Sequence, residues 1–374
     1  MSAIATVSRS VRPEGLGSLE ELIYEGQGSY ARSPSDAQRV AWIAAAAEHH
    51  LERSAAFRRL AERRGFTPDG LRSTGDLAGV PVVSSSLFKR AAPELVPGAD
   101  VKLCRSSGTR GAESQIVRDR PTLERLIGTV LHGLREFLGH SEAREAFVLG
   151  PPASAAGDVW FAYVLTLVEL LYDTGFFVTD GRLCHRALYE ALAGLDEDVQ
   201  PAVVAPPGLL LDFLSWMGER SLTLDLQPHR PFVITAGGWK RREDEAVDRA
   251  SLTALVGERL SVPPERVRDA FNMVELNTVL FECEHARKHV PPWLTVIPRR
   301  PSDMHPAEPG DTGLLAFLDP TATSYPGFVL SEDFGFLHPE GCPCGRAGDT
   351  LALTRRLATV EQRGCGLKLE RYAR

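Results

Sequence analysis

The sequence contains no apolar run long enough to cross a bilayer. Its most apolar stretch, VWFAYVLTLVELLY at 159–172, is too short for a transmembrane helix and carries Glu169. The N-terminal residues MSAIATVSRSVRPEGLG contain no apolar core of the kind found in signal peptides. We therefore expect a cytoplasmic protein that does not enter a membrane.

The sequence also has a small net charge and few cysteines. The formal charge is -7, from 49 acidic and 42 basic residues, which gives no sign of a polyanionic partner such as nucleic acid. Six cysteines in 374 residues are too few for a disulfide scaffold, so we expect them to fill the core, bind metal or act as nucleophiles. The hydrophobic content of 43% is enough for a substantial core, in one large domain or two ordinary ones.

Three common enzyme motifs are missing: GxSxG, HExxH, and GxGxxG after a strand. What is present is RSSGTRGAES at 105–114. Its glycines let backbone N–H groups converge on phosphate oxygens, and Ser106, Ser107 and Thr109 add hydroxyl donors, so it suits an anion. It is not a Walker loop, because no Gly-Lys-Ser/Thr ends it, and a Ser/Gly cluster taken alone is more often an ordinary surface loop.

Apolar periodicity predicts an α/β architecture with mixed sheets. Residues 36–64 predict a helix capped by Ser35 or Asp36 and stopped at Gly65, and a second helix begins near Pro121. Short apolar runs then alternate with helical patterns. The runs are 202–205, 232–236, 267–271, 313–318 and 328–330, and the helical patterns include 208–217 and 244–260.

Four motifs beside these runs give the sequence a specific resemblance. They are AGGWK (236–240), FNMVE (271–275), SEDFG (331–335) and CGRAG (344–348). Their order after the Ser/Gly loop resembles the adenylate-forming ligases. Within that superfamily the sequence is similar to the acyl-protein synthetase (LuxE-type) family, through GGWK, the spacing from Cys283 to Trp293, SYP at 324–326 and the late RGCG.

The resemblance implies the large α/β domain of these ligases, binding ATP and Mg²⁺. Attack of a carboxylate on the α-phosphate needs charge neutralisation more than a strong base, which a metal and cations supply. The implied phosphate-binding residues are Ser106, Ser107, Gly108, Thr109 and Gly111; Glu275 would bind Mg²⁺, Asp333 the ribose, and Gly237, Gly238 and Asn272 complete the nucleotide site. The candidate cations are Lys240, Arg346 and Arg355.

The sequence departs from the superfamily pattern in the parts that handle phosphate. Arg110 replaces the commonest second Thr, and Ser114 stands near the usual terminal Lys of the loop. Asn272 replaces the Gly of the aromatic-Gly-x-x-Glu motif. Because Asn tolerates left-handed backbone better than most residues, we expect the turn at Asn272 to survive.

Four residues have the character of a zinc site. Cys283 and His289 can pair with Cys342 and Cys344 to give a tetrahedral Cys₃His set, with His285 competing for the place of His289. Such a structural Zn²⁺ would join the segment bearing Glu275 to the segment bearing Asp333. The alternative is two unrelated pairs of reduced thiols.

A last cysteine near the C-terminus is the candidate nucleophile. Cys365 lies between two glycines and close to Arg363 and Lys368, and nearby cations favour thiolate. In the acyl-protein synthetases a cysteine in this region takes the acyl group from the adenylate and passes it to a reductase. The alternative is a small side chain packed at a chain end.

The resemblance also implies a domain division. We expect a helical lead-in and start of the adenylation domain at 1–100, its core at 101–340, and a short segment at 341–374 that replaces the mobile lid domain of typical ligases. The sequence runs only to Arg374, so the lid is expected to be absent or vestigial.

The function expected is ATP-dependent activation of a carboxylic acid, followed by transfer of the acyl group to a thiol. A fatty acid is the acid that the resemblance favours, with aryl and amino acids left open. The acceptor is Cys365 and then a partner reductase, or else a carrier protein, coenzyme A or an amine directly. A non-catalytic, zinc-stabilised partner subunit of the same fold is the alternative of a different class.

Overall fold

A computed structural model describes residues 17–24, 29–90, 100–106, 113–139, 143–239 and 246–356. The helices in these ranges are α1 (Gly17–Tyr24), α2 (Asp36–Arg53), α3 (Ala55–Arg64), α4 (Arg120–Leu138), α5 (Ala153–Ala156), α6 (Trp160–Thr166), α7 (His185–Ala193), α8 (Pro207–Glu219) and α9 (Arg249–Leu260). The strands are β1 (Val83–Ser84), β2 (Val101–Arg105), β3 (Gln115–Asp119), β4 (Arg144–Val148), β5 (Asp173–Phe176), β6 (Val178–Thr179), β7 (Arg182–Leu183), β8 (Gln200–Ala205), β9 (Phe232–Ala236), β10 (Val267–Phe271), β11 (Leu280–Phe281), β12 (Lys288–His289), β13 (Thr295–Arg299), β14 (Gly313–Leu318), β15 (Phe328–Leu337) and β16 (Thr350–Arg356). Helices alternating with strands confirm the α/β prediction.

The first sheet, sheet I, is mainly parallel and covered on both faces. Its strand order is β11-β10-β9-β8-β4-β5, with β11 antiparallel at the edge. Side chains alternate along β8, so Ala202 and Val204 pack beneath α4 and α6, while Val203 and Ala205 pack against α7, α8 and α9. Burial on both faces explains why β8 reads as a continuous apolar run.

The second sheet, sheet II, is antiparallel, with β1 added in parallel to β15. Its order is β12-β16-β15-β14-β13. Along β14, Leu315 and Phe317 face a core that includes α1, whereas Ala316 and Leu318 face the core formed with α2 and α3. The helical lead-in therefore packs on sheet II. Strand β16 lies beyond the boundary proposed at residue 340 and is built into the same sheet.

The helix predicted at 36–64 is two helices. Ser35 caps α2 in a capping box with Gln38, as the sequence indicates. The chain then becomes extended at Ser54, with φ -111 and ψ 110, and Ser54 caps α3 by accepting from the Phe57 N–H. The end at Gly65 is confirmed, since its φ of 61 is the left-handed conformation that glycine adopts without strain.

The helix predicted at 244–260 begins later than expected. Asp248 caps α9 by accepting from the Ser251 N–H, so α9 starts at Arg249. The helix near Pro121 begins as predicted, with Asp119 as its cap. Within the part of the chain that is described, no helix combines the length and the apolar character that a bilayer crossing requires.

Candidate active site and metal centre

The two ends of the Ser/Gly loop are held together at the tip of the β2–β3 hairpin. Ser106 N–H donates to the Ser114 carbonyl (3.0 Å), and Ser114 N–H donates to the Ser106 hydroxyl (2.9 Å). The loop residues 107–112 lie outside the described ranges. The hairpin therefore fixes where this loop starts and ends.

Glu275 lies directly against the end of that loop. It follows β10 in the segment 272–278, its exposed fraction is 5%, and its carboxylate accepts a hydrogen bond of 2.5 Å from the Ser114 hydroxyl. These two residues are 161 positions apart in the sequence. A hydroxyl-rich loop and a buried carboxylate thus meet at the carboxyl end of a parallel strand, where ligands of α/β sheets bind.

Asn272 supports this segment in a way that differs from our expectation. The backbone at Asn272 is not left-handed; among the described residues it does not belong to those with positive φ. Its amide instead donates to the carbonyls of Leu276 (3.0 Å) and Thr278 (2.9 Å), and its oxygen accepts from the Trp160 indole (2.6 Å). The Asn272 side chain thus ties the segment together through contacts that a glycine could not make.

The far end of the segment is anchored to sheet II by a buried aspartate that the sequence did not single out. Asp319, wholly buried, accepts from Asn277 N–H (3.1 Å) and from the hydroxyl of Thr321 (2.6 Å). Burial raises the pKa of Asp319, against the lowering effect of these hydrogen bonds. Asn277 in turn donates to the Thr122 carbonyl at the start of α4 (2.9 Å).

An apolar cavity opens beside Gly237 and Asn272. It lies between the face of sheet I and the helices α4 and α6. Its apolar lining includes Leu134, Phe161, Val168, Val204, Ile234 and Phe281. Gly237 has φ +74, and a Cβ there would lie 2.9 Å from the Phe161 ring, so only glycine fits. Gly238 faces open space.

A second cavity lies between α2, α3, β3 and the loop before β15. It mixes apolar side chains such as Val83 and Phe88 with His50, Arg53 and Tyr325. Burial lowers the pKa of His50 to about 3, so this imidazole is neutral at pH 7. This cavity does not include Gly237, Asn272 or Glu275.

Asp333 and the candidate cations lie in different places. Asp333 is in β15, where it is paired with Arg356, and its N–H donates to the Ser331 hydroxyl. Arg346 is in the β15–β16 connection and packs against the end of α4. Its guanidinium donates to the Glu136 carboxylate (2.9 Å) and to the Glu284 carboxylate (3.2 Å). Arg355 is placed only by its backbone, in β16.

The four residues of the predicted zinc site meet. Ligand atoms of Cys283, His289, Cys342 and Cys344 all lie within 4.8 Å of one another. Cys283 and Cys342 sulfurs are 3.5 Å apart, and the Cys344 sulfur is 3.3 Å from His289 Nε2. Two zinc–sulfur bonds of tetrahedral geometry separate the sulfurs by about 3.8 Å, so the set fits the ion.

Two turns bring these ligands together. Cys283 follows β11 and His289 ends β12, with a tight turn between them in which Ala286 has φ 56. Cys342 and Cys344 occupy the β15–β16 connection, which Gly345 turns with φ +77. His285 is exposed and outside the cluster, its N–H donating to the Cys283 sulfur (3.4 Å). The cluster therefore joins the edge of sheet I to sheet II.

The surroundings favour, for two of the ligands, the protonation state that a metal requires. Burial, aided by Arg346 and Arg287, lowers the pKa of His289 to about 4, so the ring is neutral at pH 7. Burial disfavours the Cys344 thiolate, but hydrogen bonds from the backbone and side chain of Arg346 outweigh it and lower the pKa of Cys344. Arg346 is thus built into the surroundings of this cluster.

The remaining sequence predictions fall outside the described residues or their side chains. They are Ser107, Gly108, Thr109, Gly111, Lys240 and Cys365, together with the side chain of Arg355. Sequence analysis missed Ser114 as a partner of Glu275, and it missed Asn277 and Asp319. Their only local signal is that polar residues interrupt otherwise apolar surroundings.

Comparison with known proteins identifies the family of this chain. The family model for acyl-protein synthetase, LuxE, matches residues 16–373. A long-chain-fatty-acid–luciferin-component ligase of Aliivibrio fischeri is 34% identical over 295 residues, which cover 78% of this chain and 78% of that protein. The ligase of the same description from Vibrio harveyi is 31% identical over 363 residues, covering 94% and 92%.

The fold is also found among solved structures. An open conformation of 2-hydroxyisobutyryl-CoA ligase, in complex with 2-HIB-AMP and CoA, superposes with a TM-score of 0.68 at 16% sequence identity, covering 87% of this chain and 70% of that one. This likeness establishes the fold, and the sequence relatives establish the family. The chain therefore belongs to the acyl-protein synthetase (LuxE) family of ligases, built on the fold of the adenylate-forming enzymes.

Proposed function

We propose that this enzyme joins a long-chain fatty acid to the α-phosphate of ATP, releasing pyrophosphate, and then transfers the acyl group to a thiol. The observation that carries the proposal is the contact between Ser114, at the end of the Ser/Gly loop, and the buried carboxylate of Glu275. It supports a site where phosphate groups and a metal-binding carboxylate face each other. The printed names of the two relatives support the choice of a long-chain acid.

In this proposal ATP lies across the carboxyl ends of β9 and β10. The backbone and hydroxyls of Ser106, Ser107, Gly108, Thr109 and Gly111 bind phosphate, Glu275 binds Mg²⁺ and Asp333 binds the ribose. A single carboxylate is a suitable holder for Mg²⁺, which keeps waters and takes phosphate oxygens as its other ligands. The metal neutralises phosphate charge, and Lys240 and Arg355 add positive charge beside it. For Arg346 we prefer the structural role at the Cys/His cluster, since two carboxylates already bind its guanidinium.

The apolar cavity is the proposed site of the acyl chain. Its lining is almost wholly apolar, as expected of a site that binds a hydrocarbon chain. The polar end, at Gly237 and Asn272, adjoins the segment that carries Glu275. A chain bound here therefore presents its carboxylate toward the proposed phosphate site. The second cavity does not include Gly237, Asn272 or Glu275 in its lining.

We predict that Val168→Phe shortens the acid that the enzyme accepts. Val168 is buried in the cavity wall, so the added ring occupies space that the end of a long chain would use. Pyrophosphate exchange with a fourteen-carbon acid should fall by about tenfold relative to exchange with an eight-carbon acid. Leu211→Phe on α8, which packs on the opposite face of sheet I, is the control. An equal loss with both acids would argue against the cavity.

The Cys/His cluster is proposed to bind one structural Zn²⁺. A closed four-ligand site leaves no position for a substrate, so the ion holds the β11–β12 turn against the β15–β16 turn. Purified without chelators, the protein should contain about one zinc per chain. In Cys342→Ser the zinc should be lost and Tm should fall by roughly 5–10 °C. Cys184→Ser changes a cysteine outside the cluster, so this variant should keep the zinc and the wild-type Tm. A metal-free wild-type protein would disprove the site.

The acyl acceptor is proposed to be Cys365, from which a partner protein with its own thiol takes the acyl group. The names of the relatives, which specify a luciferin component, support a partner reductase.

Acid-dependent exchange of labelled pyrophosphate into ATP tests the activation step. A panel of aliphatic acids of increasing length, with aryl and amino acids beside them, should give exchange that rises toward the long-chain acids. Exchange with none of these acids would refute the proposal. A preference for an aryl or amino acid would keep adenylation but change the substrate class.

A further inference from the structure

A buried arginine lies behind the Glu275 segment, and no motif of the sequence points to it. Arg118 is on β3, four residues after Ser114, and its exposed fraction is 0%. We propose that Arg118 is the positioning residue for Glu275: it holds the 272–277 backbone in the conformation that binds ATP with its metal. This inference rests on the proposed function, because it assigns a role in the same nucleotide site.

The contacts of Arg118 reach three points of the segment. Its Nη2 donates to the carbonyl of Val274, the residue before Glu275, at 2.6 Å. Its Nε donates to the amide oxygen of Asn277 at 3.0 Å. Its guanidinium carbon lies 3.6 Å from the centre of the Trp160 ring, and Trp160 in turn donates to Asn272. The planar guanidinium of Arg118 therefore contacts Val274 and Asn277 directly and reaches Asn272 through the Trp160 ring.

The positive charge of Arg118 is surrounded by neutral groups. The arginine–carboxylate ion pairs of the described residues, such as Arg125–Glu20 and Arg268–Glu284, do not include Arg118, and its Nη1 has no hydrogen-bond partner. Its neighbours are neutral oxygens, including the Tyr325 hydroxyl (3.1 Å), and two aromatic rings. A buried guanidinium without a carboxylate costs free energy that aromatic and carbonyl contacts offset only in part. Its positive charge lies behind the residues proposed to face the phosphates, where it favours anionic ligands.

A second buried arginine shows what a purely structural role looks like. Arg144, at the start of β4, donates to the carbonyls of Leu138 (2.8 Å) and Gly139 (2.6 Å) and to Gln200. It also packs over aromatic rings and leaves one nitrogen without a partner. It lies at the amino ends of the parallel strands, opposite to Glu275. Arg118 and Arg144 therefore share their chemistry and differ in what they hold.

The test compares Arg118→Lys with Arg144→Lys in the full-length protein. Lysine keeps the charge but has one nitrogen, which cannot serve Val274, Asn277 and Tyr325 together. Both variants are measured for Tm, for KM and kcat in pyrophosphate exchange, and for Mg·ATP affinity by calorimetry without any acid. Tyr325→Phe, which removes one acceptor and keeps the ring, is a milder variant in case Arg118→Lys does not fold.

We expect Arg118→Lys to raise KM and the dissociation constant for Mg·ATP by about tenfold, with the KM for the acid within about threefold. Tyr325→Phe should raise the same constants by about two- to fivefold. Arg144→Lys should lower Tm but leave the KM and the dissociation constant for Mg·ATP within about twofold of the wild-type values. Unchanged nucleotide constants in Arg118→Lys, or equal changes in both arginine variants, would overturn the inference. If the wild type binds Mg·ATP but shows no exchange with any acid, the proposed adenylation fails, and the calorimetric comparison still decides the role of Arg118.

Discussion

Glu275→Gln is expected to lower kcat for acid-dependent pyrophosphate exchange by about 10²- to 10³-fold. Glutamine has nearly the same shape and can still accept the hydrogen bond from the Ser114 hydroxyl, so the local structure should persist. What is lost is the negative charge that holds Mg²⁺ against the phosphates. A titration with Mg²⁺ should therefore show a weaker apparent affinity for the metal, while Tm changes little.

Glu20→Gln is the matched control for this change. Glu20 is also a carboxylate that accepts a hydrogen bond, from Arg125 (2.9 Å), but it belongs to α1 and not to the 272–278 segment. Its exchange rate should remain close to that of the wild type. If Glu275→Gln retains exchange within about twofold of the wild type, Glu275 is not the metal-binding carboxylate.

Cys365→Ala is expected to abolish self-acylation completely while leaving pyrophosphate exchange intact. Adenylation consumes the acid and ATP only, so it does not need this thiol. The thioester does need it, and the nearby Arg363 and Lys368 favour a thiolate at this position. With labelled fatty acid and ATP, the wild type should carry hydroxylamine-sensitive label at up to about one acyl group per chain.

Cys184→Ala controls for the loss of an unrelated thiol, because Cys184 is partly exposed and lies outside the metal cluster. It should label like the wild type. Label that survives in Cys365→Ala would show that another residue accepts the acyl group. Loss of exchange together with label would show that Cys365 acts before the thioester step.

Local sequence patterns predicted much of the framework. The apolar runs at 202–205 and 232–236 correspond to β8 and β9, because strands buried on both faces must be apolar throughout. The cap Ser35 and the helix start near Pro121 were predicted, because Ser satisfies free N–H groups at a helix start and Pro fits the first helical turn. The break at Ser54 was missed, because helical periodicity continues across it on both sides.

The sequence predicted the zinc set better than the support of the nucleotide site. The chain has few cysteines, so Cys283, Cys342 and Cys344 could be grouped with a nearby histidine before the fold was known. The choice of His289 over His285 depended on the turn at Ala286, which sequence does not specify. Ser114 and Arg118 meet residues about 160 positions away, and no local pattern encodes such contacts.

The most direct test of carboxylate activation follows an oxygen atom. A fatty acid labelled with ¹⁸O in its carboxyl group is incubated with ATP, Mg²⁺ and the wild-type enzyme until the acyl group has moved to the thiol. If the carboxylate attacks the α-phosphate, the AMP released must carry one ¹⁸O and the pyrophosphate none. Label in inorganic phosphate, or nucleotide released as ADP, would contradict adenylation.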